Sequence, residues 1–213
     1  MTRRGLLAAA GGAALPLRAA ETIEAFGLRW TVPVAADWRV EPSEAGEVLR
    51  LRVARPLTQP RRPTQFALAE TPEFRQVDFE VEARKEGFAQ RRRRTSLILV
   101  YAWQAPDRFN YVHLSVDAAL RAAHHNGVFH VFGGERVRIS PLEGPPTLRE
   151  GVWHAVRLSF DGGAGKVRAW VDGETSPSLS ASDESLRQGR IGLGSFFDYG
   201  EFRRFRIIQS VAA

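Results

Sequence analysis

From about residue 23 onward, hydrophobic and polar residues alternate along the chain with a period of two. Between Val77 and Arg84, apolar residues alternate with Asp78, Glu80 and Glu82. Successive side chains of a β-strand point to opposite faces, so this pattern predicts a strand with one buried face and one wet face.

The segment Asn110–Asp117 repeats the pattern, with valine or leucine at positions 112, 114 and 116. If these three face the core, then Tyr111, His113 and Ser115 must point the other way. We therefore expect Tyr111 and His113 on a solvent-exposed outer face of a sheet.

Further strands are predicted at nearly even spacing. The segment Ser96–Trp103 is almost entirely apolar, which is typical of a central strand covered on both sides. Gly133 and Gly134 separate two short strands and supply the backbone freedom of a tight hairpin. The one helix candidate in the remainder of the chain is a short stretch, 118–123. The pattern predicts a single all-β domain over residues 21–213, a two-sheet antiparallel sandwich.

The first twenty residues have a different character. Arg3 and Arg4 precede a short apolar run that extends to Leu17 and ends in small residues. A charged start followed by a run too short to cross a bilayer predicts a twin-arginine-type export signal over residues 1–20. We therefore expect a periplasmic or extracellular protein, and no later stretch is long enough to be a transmembrane segment.

Charge and cysteine content narrow the function classes. The formal charge of +6 includes three arginines of the predicted signal, so the mature domain carries 27 basic and 24 acidic residues, about +3. Only Lys85 and Lys166 are lysines, which indicates a compositional preference for arginine rather than a nucleic-acid footprint. The chain has no cysteine, which excludes disulfides, thiolate metal sites and a cysteine nucleophile.

Motifs in the second half of the chain resemble a known superfamily. The segments are Trp153–Arg157, Gly165–Gly173, Gly189–Phe196 and a final strand that begins at Phe202. They are similar to the closing half of LamG-like and 3-keto-disaccharide-hydrolase-like domains, and the resemblance covers roughly residues 65–208. It implies a concanavalin-A-like jelly roll, export, and carbohydrate as the ligand class.

One departure from the relatives bears on catalysis. Laminarinase-type glycosidases of this fold carry an acidic E-x-D-x-x-E strand, and retaining glycosidases need two carboxyl groups about 5–5.5 Å apart. The nearest patterns here are Asp78, Glu80 and Glu82 on one strand face and the pair Asp183-Glu184. We interpret the first set as a solvated face balanced by arginines.

Candidate ligand-binding residues follow from the predicted outer face and its adjoining loops. Aromatic rings can stack on sugars, while histidine, amide and guanidinium groups can bond to hydroxyls. Asn126 could instead hold a turn, and the arginine run 91–94 could be a solvated loop. We predict ligand contacts from Arg94, Tyr101, Gln104, Tyr111, His113, His124 and Asn126. Because side chains alternate along a strand, Tyr101 and Trp103 are expected on the same face.

Three functions remain open from the sequence. The leading one is glycan recognition on the concave face of one sheet. The alternatives are a glycoside hydrolase of the 3-keto-disaccharide hydrolase type, with His113 as a titratable group in a deep pocket, and a structural or adhesion module that binds protein through an apolar patch. No metal site, no cofactor and no nucleic-acid partner is predicted, and the sequence does not disclose the oligomeric state.

Overall fold

The computed structural model describes residues 20–85, 96–116, 125–141 and 148–213. Within these ranges the chain forms β-strands and one 3₁₀ turn at Ala35–Asp37. The strands are β1 Glu21–Ala25, β2 Leu28–Val32, β3 Trp38–Ser43, β4 Gly46–Leu51, β5 Gln65–Ala69, β6 Phe74–Arg84, β7 Ser96–Ala105, β8 Arg108–Ser115, β9 Gly127–Phe132, β10 Arg136–Arg138, β11 Trp153–Asp161, β12 Lys166–Val171, β13 Leu179–Ser182, β14 Arg190–Ser195 and β15 Gly200–Ala212.

The strands form two antiparallel sheets. The eight-stranded sheet has the order β1-β2-β5-β14-β7-β8-β9-β10, and the seven-stranded sheet has the order β13-β12-β11-β6-β15-β4-β3. Hairpins of consecutive strands are joined in each sheet by pairs that are distant in sequence, such as β5-β14, β14-β7 and β6-β15, as in a jelly roll. The predicted two-sheet antiparallel jelly-roll sandwich is confirmed. The predicted helix at 118–123 lies outside the described residues.

The main core lies between the two sheets. Val77, Phe79 and Val81 of β6 pack there with Val112 and Leu114 of β8. Each of these strands thus turns one side chain in two toward the interior, as the alternation predicts. Burial of this shared apolar face is the main force holding the sheets together.

A second hydrophobic cluster covers the opposite, outer face of the eight-stranded sheet. It is built from alternate residues of β5, β7, β8 and β9, together with two phenylalanines that follow β14. Its members are Phe66, Leu68, Ile98, Val100, Phe109, Tyr111, Phe129, Val131, Phe196 and Phe197. The outer face at these strands is therefore an aromatic layer.

A backbone irregularity separates Tyr101 from Trp103. Tyr101 packs in the main core, whereas Trp103 packs against the outer cluster. Ala102 has a φ of 49°, and the pairing of β7 with β8 shifts register between Tyr101 and Ala105. An irregularity of this kind breaks the two-residue alternation. The prediction that Tyr101 and Trp103 share a face is wrong for this reason.

Candidate functional site

Tyr111 and His113 lie on the predicted side of β8 but not in the predicted environment. Both point away from the main core, yet each has a relative exposure of 0%. The expectation of a solvent-exposed pair is wrong, because the aromatic layer and side chains from β9 and β10 cover the outer face. Alternation along a strand predicts the face of the sheet on which a side chain lies. Whether that face is exposed to solvent depends on the other segments that pack on it.

Arg136 of β10 is the group that covers both side chains. Its guanidinium carbon lies 4.4 Å from the ring centroid of Phe129 and 4.2 Å from that of Phe196. Its Nη1 donates to the Tyr111 hydroxyl at 3.1 Å and lies 3.0 Å from Nδ1 of His113. Arg136 is half-buried, and the Phe129 and Phe196 rings and the bonds to Tyr111 and His113 help to fix its position.

The contact with Arg136 determines the state of His113. A guanidinium can only donate, so Nδ1 of His113 must accept and the imidazole is neutral, with its proton on Nε2. Burial holds the pKa of His113 well below its usual range, and electrostatic interactions with Arg136, His125, Arg138 and Arg61 lower it further. His113 is therefore an uncharged donor inside a positive environment.

Arg61 adds a further positive charge to this face. Its guanidinium carbon lies 5.7 Å from the centroid of the Phe196 ring, so Phe196 contacts both Arg61 and Arg136. Burial raises the pKa of Tyr111 despite the opposing effects of Arg136 and Arg61. We call the set Arg61, Arg136, Arg138, Tyr111, His113, Phe129 and Phe196 the arginine–aromatic cluster.

Arg138 organises the backbone beside the cluster. It donates to the carbonyl oxygens of His125 at 2.9 Å, Asn126 at 2.8 Å and Pro141 at 2.6 Å. A Cβ atom on Gly127 would lie 2.4 Å from Nη1 of Arg138, so glycine leaves the space that the guanidinium fills. Arg138 therefore joins the start of β9 to the segment after β10.

The other predicted site residues are dispersed. Asn126 is buried and its Oδ1 accepts a bond of 2.8 Å from the backbone N–H of Ser115, so it holds the turn before β9. Tyr101 lies in the main core, 5.0 Å from the ring of Phe160. Gln104 is exposed at the far end of β7 and bonds to the carbonyl of Gln188. Arg94 and His124 fall outside the described residues.

The sequence interpretation missed Arg61 and Arg136. A signal for Arg136 was present, since the short strand Arg136–Arg138 places two arginines on one face. The aromatic partners gave no such signal, because Phe196 comes from a distant segment and meets β10 only in the folded sheet.

The acidic face of β6 is balanced by arginines, as we interpreted it, but it is not solvated throughout, since Asp78 is buried. Asp78 pairs with Arg157, Glu80 with Arg206, and Glu82 with Arg203 and Arg204. Arg203 and Arg204 lower the pKa of Glu82 against the effect of burial. The lowered pKa of Glu82 is the opposite of what a glycosidase acid needs, which is a raised pKa.

A groove of about 860 Å³ crosses this outer face of the seven-stranded sheet. Trp170 and Arg157 line one side and Arg204 and Arg206 the other. Its charged walls are the ion pairs just described. The groove is therefore a second surface on which a ligand could bind.

Within the described ranges, no three histidine, aspartate or glutamate side chains come close enough to hold a metal ion. Among the same residues, none forms a helix with the length and apolar character needed to span a bilayer.

We expect the stability of the protein to fall in mild acid because of His113. Its pKa is lowered in the folded state, whereas the unfolded chain titrates near 6.5. The neutral, buried His113 therefore costs the folded protein nothing above about pH 6.5. Below that pH the unfolded chain binds a proton that the folded protein does not, and the free energy of unfolding falls by up to about 1.4 kcal/mol per pH unit. Urea unfolding of the wild type and of His113→Gln between about pH 7.5 and pH 5 measures this pH dependence of the free energy of unfolding. The advantage of the wild type should shrink as pH falls; a constant difference would contradict the assignment.

Comparisons with known proteins bear on the fold. No protein-family model matches the chain, and no curated protein matches its sequence. The structure is similar to the carbohydrate binding module CBM66 from Bacillus subtilis, with a TM-score of 0.59 and 12% identity over 84% of this chain and 94% of that one. It is also similar to a xylan β-1,4-xylosidase from Bacillus halodurans C-125, with a TM-score of 0.52 and 16% identity. That match covers 84% of this chain and 36% of the xylosidase. The expected concanavalin-A-like sandwich is confirmed.

Proposed function

We propose that the chain is an exported carbohydrate-binding protein, and that it recognises glycans through the arginine–aromatic cluster on a concave outer face of the eight-stranded sheet. The observation that carries the proposal is the fixation of Arg136 between Phe129 and Phe196, with bonds to Tyr111 and His113. A guanidinium held in one orientation before the ligand arrives loses little entropy on binding. The fold that this chain shares with the module CBM66 adds support by analogy.

The cluster has the chemical parts of a sugar site. Arg61, Arg136 and His125 are half-buried, so each presents part of its surface to a ligand. Guanidinium donors suit sugar hydroxyls, whereas the Phe129 and Phe196 rings are buried and hold Arg136 in place. Tyr111 and His113 act from below as positioning residues, since both are enclosed. Tyr111 and His113, which were predicted from sequence, thus support the site, and Arg136, which was not, forms its accessible part.

Binding is a better account of the cluster than hydrolysis. Nδ1 of His113 is engaged by Arg136, so a general base at that atom would require Arg136 to leave. The carboxylates of β6 are each paired with arginine. Export is proposed on the twin-arginine pattern of residues 1–20, which lies outside the described residues apart from position 20.

Replacing Arg136 with glutamine is expected to weaken glycan binding at least about tenfold, since hydrogen bonds from a charged donor are worth about 1.5–3 kcal/mol. Titration calorimetry against the tightest ligand from a panel of neutral and acidic glycans measures this loss. Arg61→Gln, which leaves His113 and its bond intact, should also weaken binding. Arg168→Gln removes an exposed guanidinium from β12 on the other sheet and should have no effect.

Three outcomes would contradict the proposal. No saturable binding to any glycan of the panel would refute a carbohydrate ligand. Loss of binding in Trp170→Ala with full binding in Arg136→Gln would refute the site and assign the ligand to the groove on the seven-stranded sheet. Release of reducing sugar from a bound glycan would show a hydrolase in place of a binding protein.

A further inference from the structure

A row of four side chains crosses the groove on the outer face of the seven-stranded sheet. Trp170 on β12 lies opposite Arg157 on β11. Arg157 lies opposite Glu80 on β6, which in turn lies opposite Arg206 on β15. All four line the groove, and because neighbouring strands are about 4.8 Å apart, the row is about 14 Å long. This set, which we call the Trp170 row, therefore offers a ligand an aromatic ring, a donor, an acceptor and a second donor in succession.

The charges along the groove are balanced, so it favours neither an anion nor a cation. Arg206 pairs with Glu80, and Arg157 pairs with Asp78 beside the groove. A charged ligand would compete with one partner of such a pair, whereas a hydroxyl group can bond to either partner without separating them. The lining as a whole carries three carboxylates and three guanidinium groups, which are Glu80, Glu82, Glu174, Arg157, Arg204 and Arg206.

The ion pairs fix these side chains without using all of their hydrogen-bonding groups. Among the residues that the structure describes, Arg206 donates only through Nε, to Glu80, and Arg157 donates only through Nε and Nη2, to Asp78. The side chain of Arg206 is 70% exposed and that of Arg157 is 49% exposed. Their remaining N–H groups are therefore available to a ligand, on guanidinium groups that carboxylates already hold in place.

Trp170 supplies the apolar surface that a sugar site needs. Its side chain is half-buried, and the guanidinium carbon of Arg157 lies 5.4 Å from its ring centroid. Ala155, which is exposed, lines the groove with only a methyl group. A sugar ring presents both C–H groups and hydroxyls, and an aromatic ring with a donor beside it matches both.

The backbone of β15 is distorted at the wall of the groove. Arg204 has a φ of 52°, and the pairing of β15 with β6 shifts register between Arg203 and Arg206. Arg203 and Arg204 are adjacent in sequence, yet both reach Glu82, at 2.6 Å and 2.7 Å. A positive φ is costly at a non-glycine residue and clusters at functional sites, where a bulge can re-aim a side chain. The distortion is an independent observation that points to the same groove.

We infer that the groove is a second ligand site, for an uncharged saccharide, in which Trp170 stacks on a sugar ring and the other members of the Trp170 row bond to its hydroxyls. The groove and the arginine–aromatic cluster lie on different sheets, so the inference goes beyond the proposed function and does not depend on it. Two sites on one domain would bind two stretches of a polysaccharide with greater avidity than either site alone.

The test isolates the groove by titrating the Arg136→Gln variant, which lacks the central arginine of the other proposed site. The uncharged ligands are cellohexaose, xylohexaose and laminarihexaose, and hexagalacturonate is the charged comparator. We expect one equivalent of at least one uncharged ligand to bind, more tightly than hexagalacturonate. Adding Trp170→Ala should weaken this binding at least about tenfold, because an aromatic anchor contributes a large part of the binding energy of a site.

Three further variants, each made in Arg136→Gln, control for folding and location. Trp170→Phe keeps an aromatic ring and should restore most of the binding that Trp170→Ala loses. Arg206→Gln leaves Trp170 in place and should weaken binding at least about threefold, since it removes a charged donor. Arg29→Gln breaks a comparable exposed ion pair with Glu24 on the eight-stranded sheet and should have no effect. Circular dichroism confirms that each variant is folded.

The outcomes separate this inference from the proposed function. If no uncharged ligand binds Arg136→Gln, the groove site is overturned, and binding to the wild type alone would then support the arginine–aromatic cluster. Binding that Trp170→Ala and Arg206→Gln both leave unchanged would place the ligand elsewhere and also overturn it. Tighter binding of hexagalacturonate than of every uncharged ligand would overturn the uncharged class. One equivalent bound equally by the wild type and Arg136→Gln, and lost in Trp170→Ala, would support the groove and refute the cluster as the glycan site.

Discussion

Gly194→Ala is expected to destabilise the protein by about 3 kcal/mol or more, at the upper end of what overpacking a buried site costs. Gly194 lies in β14, paired with Phe66 of β5 and Ile98 of β7. A Cβ atom at this position would stand 2.3 Å from the carbonyl oxygen of Gln65 and 2.5 Å from Cβ of Phe66. The obstacle includes backbone, so no change of side-chain rotamer can relieve it. Either β5 moves away from β14 or the sheet does not form.

The matched control for Gly194→Ala is Gly134→Ala. A Cβ atom on Gly134 meets nothing within 4 Å, so this change should alter stability by no more than about 0.5 kcal/mol. Chemical denaturation of both variants against the wild type makes the comparison. Equal stabilities for the two variants would show that β5 and β14 are not in the close contact described.

The close contact at Gly194 also explains the glycines in the segment Gly189–Phe196, which is one of the motifs that predicted the fold. Gly192 and Gly194 alternate with Ile191 and Leu193, which face the main core. The glycines thus occupy the outer face, where β5 approaches too closely for a side chain. The pattern of alternating glycines is a consequence of strand packing, which is why it indicates the fold and says little about activity.

The fold was predictable because its signal is local. Alternation in β6 and β8 depends only on which side chains face the shared core, and it places Val112 and Leu114 correctly. The exception is β7, where the positive φ of Ala102 turns Tyr101 and Trp103 to opposite faces. Nothing in an apolar run of that length marks the residue at which the backbone departs from alternation.

The site was less predictable because its contacts are nonlocal. The prediction that His113 and Tyr111 point away from the main core is right, and the prediction that they are exposed to solvent is wrong. Their cover comes from Phe129 on β9, Arg136 on β10 and Phe196 after β14, so it is assembled from three separate parts of the sheet. A sequence shows the face of a strand directly, whereas the layer above that face depends on the whole topology.

Tyr111→Ala is expected to cost about 3–5 kcal/mol of stability, as for other large aromatic residues removed from a core. The Tyr111 ring is fully buried and stacks on Phe129, with 5.4 Å between centroids and 15° between planes. Phe109 packs on it at 6.1 Å. Removing the ring leaves a cavity under Arg136 and costs a large share of a total stability of about 5–15 kcal/mol.

Tyr111→Phe is the control that separates packing from hydrogen bonding. It keeps the ring and removes only the hydroxyl that accepts from Arg136, so it should cost about 1 kcal/mol. An exposed stacking platform for sugar would behave differently, since both variants would then fold almost as stably as the wild type and only ligand binding would suffer. Urea denaturation at one fixed pH decides between the two. A small, equal cost for both variants would mean that the aromatic layer does not cover β8, and Arg136 would then lack the support on which the proposed site depends.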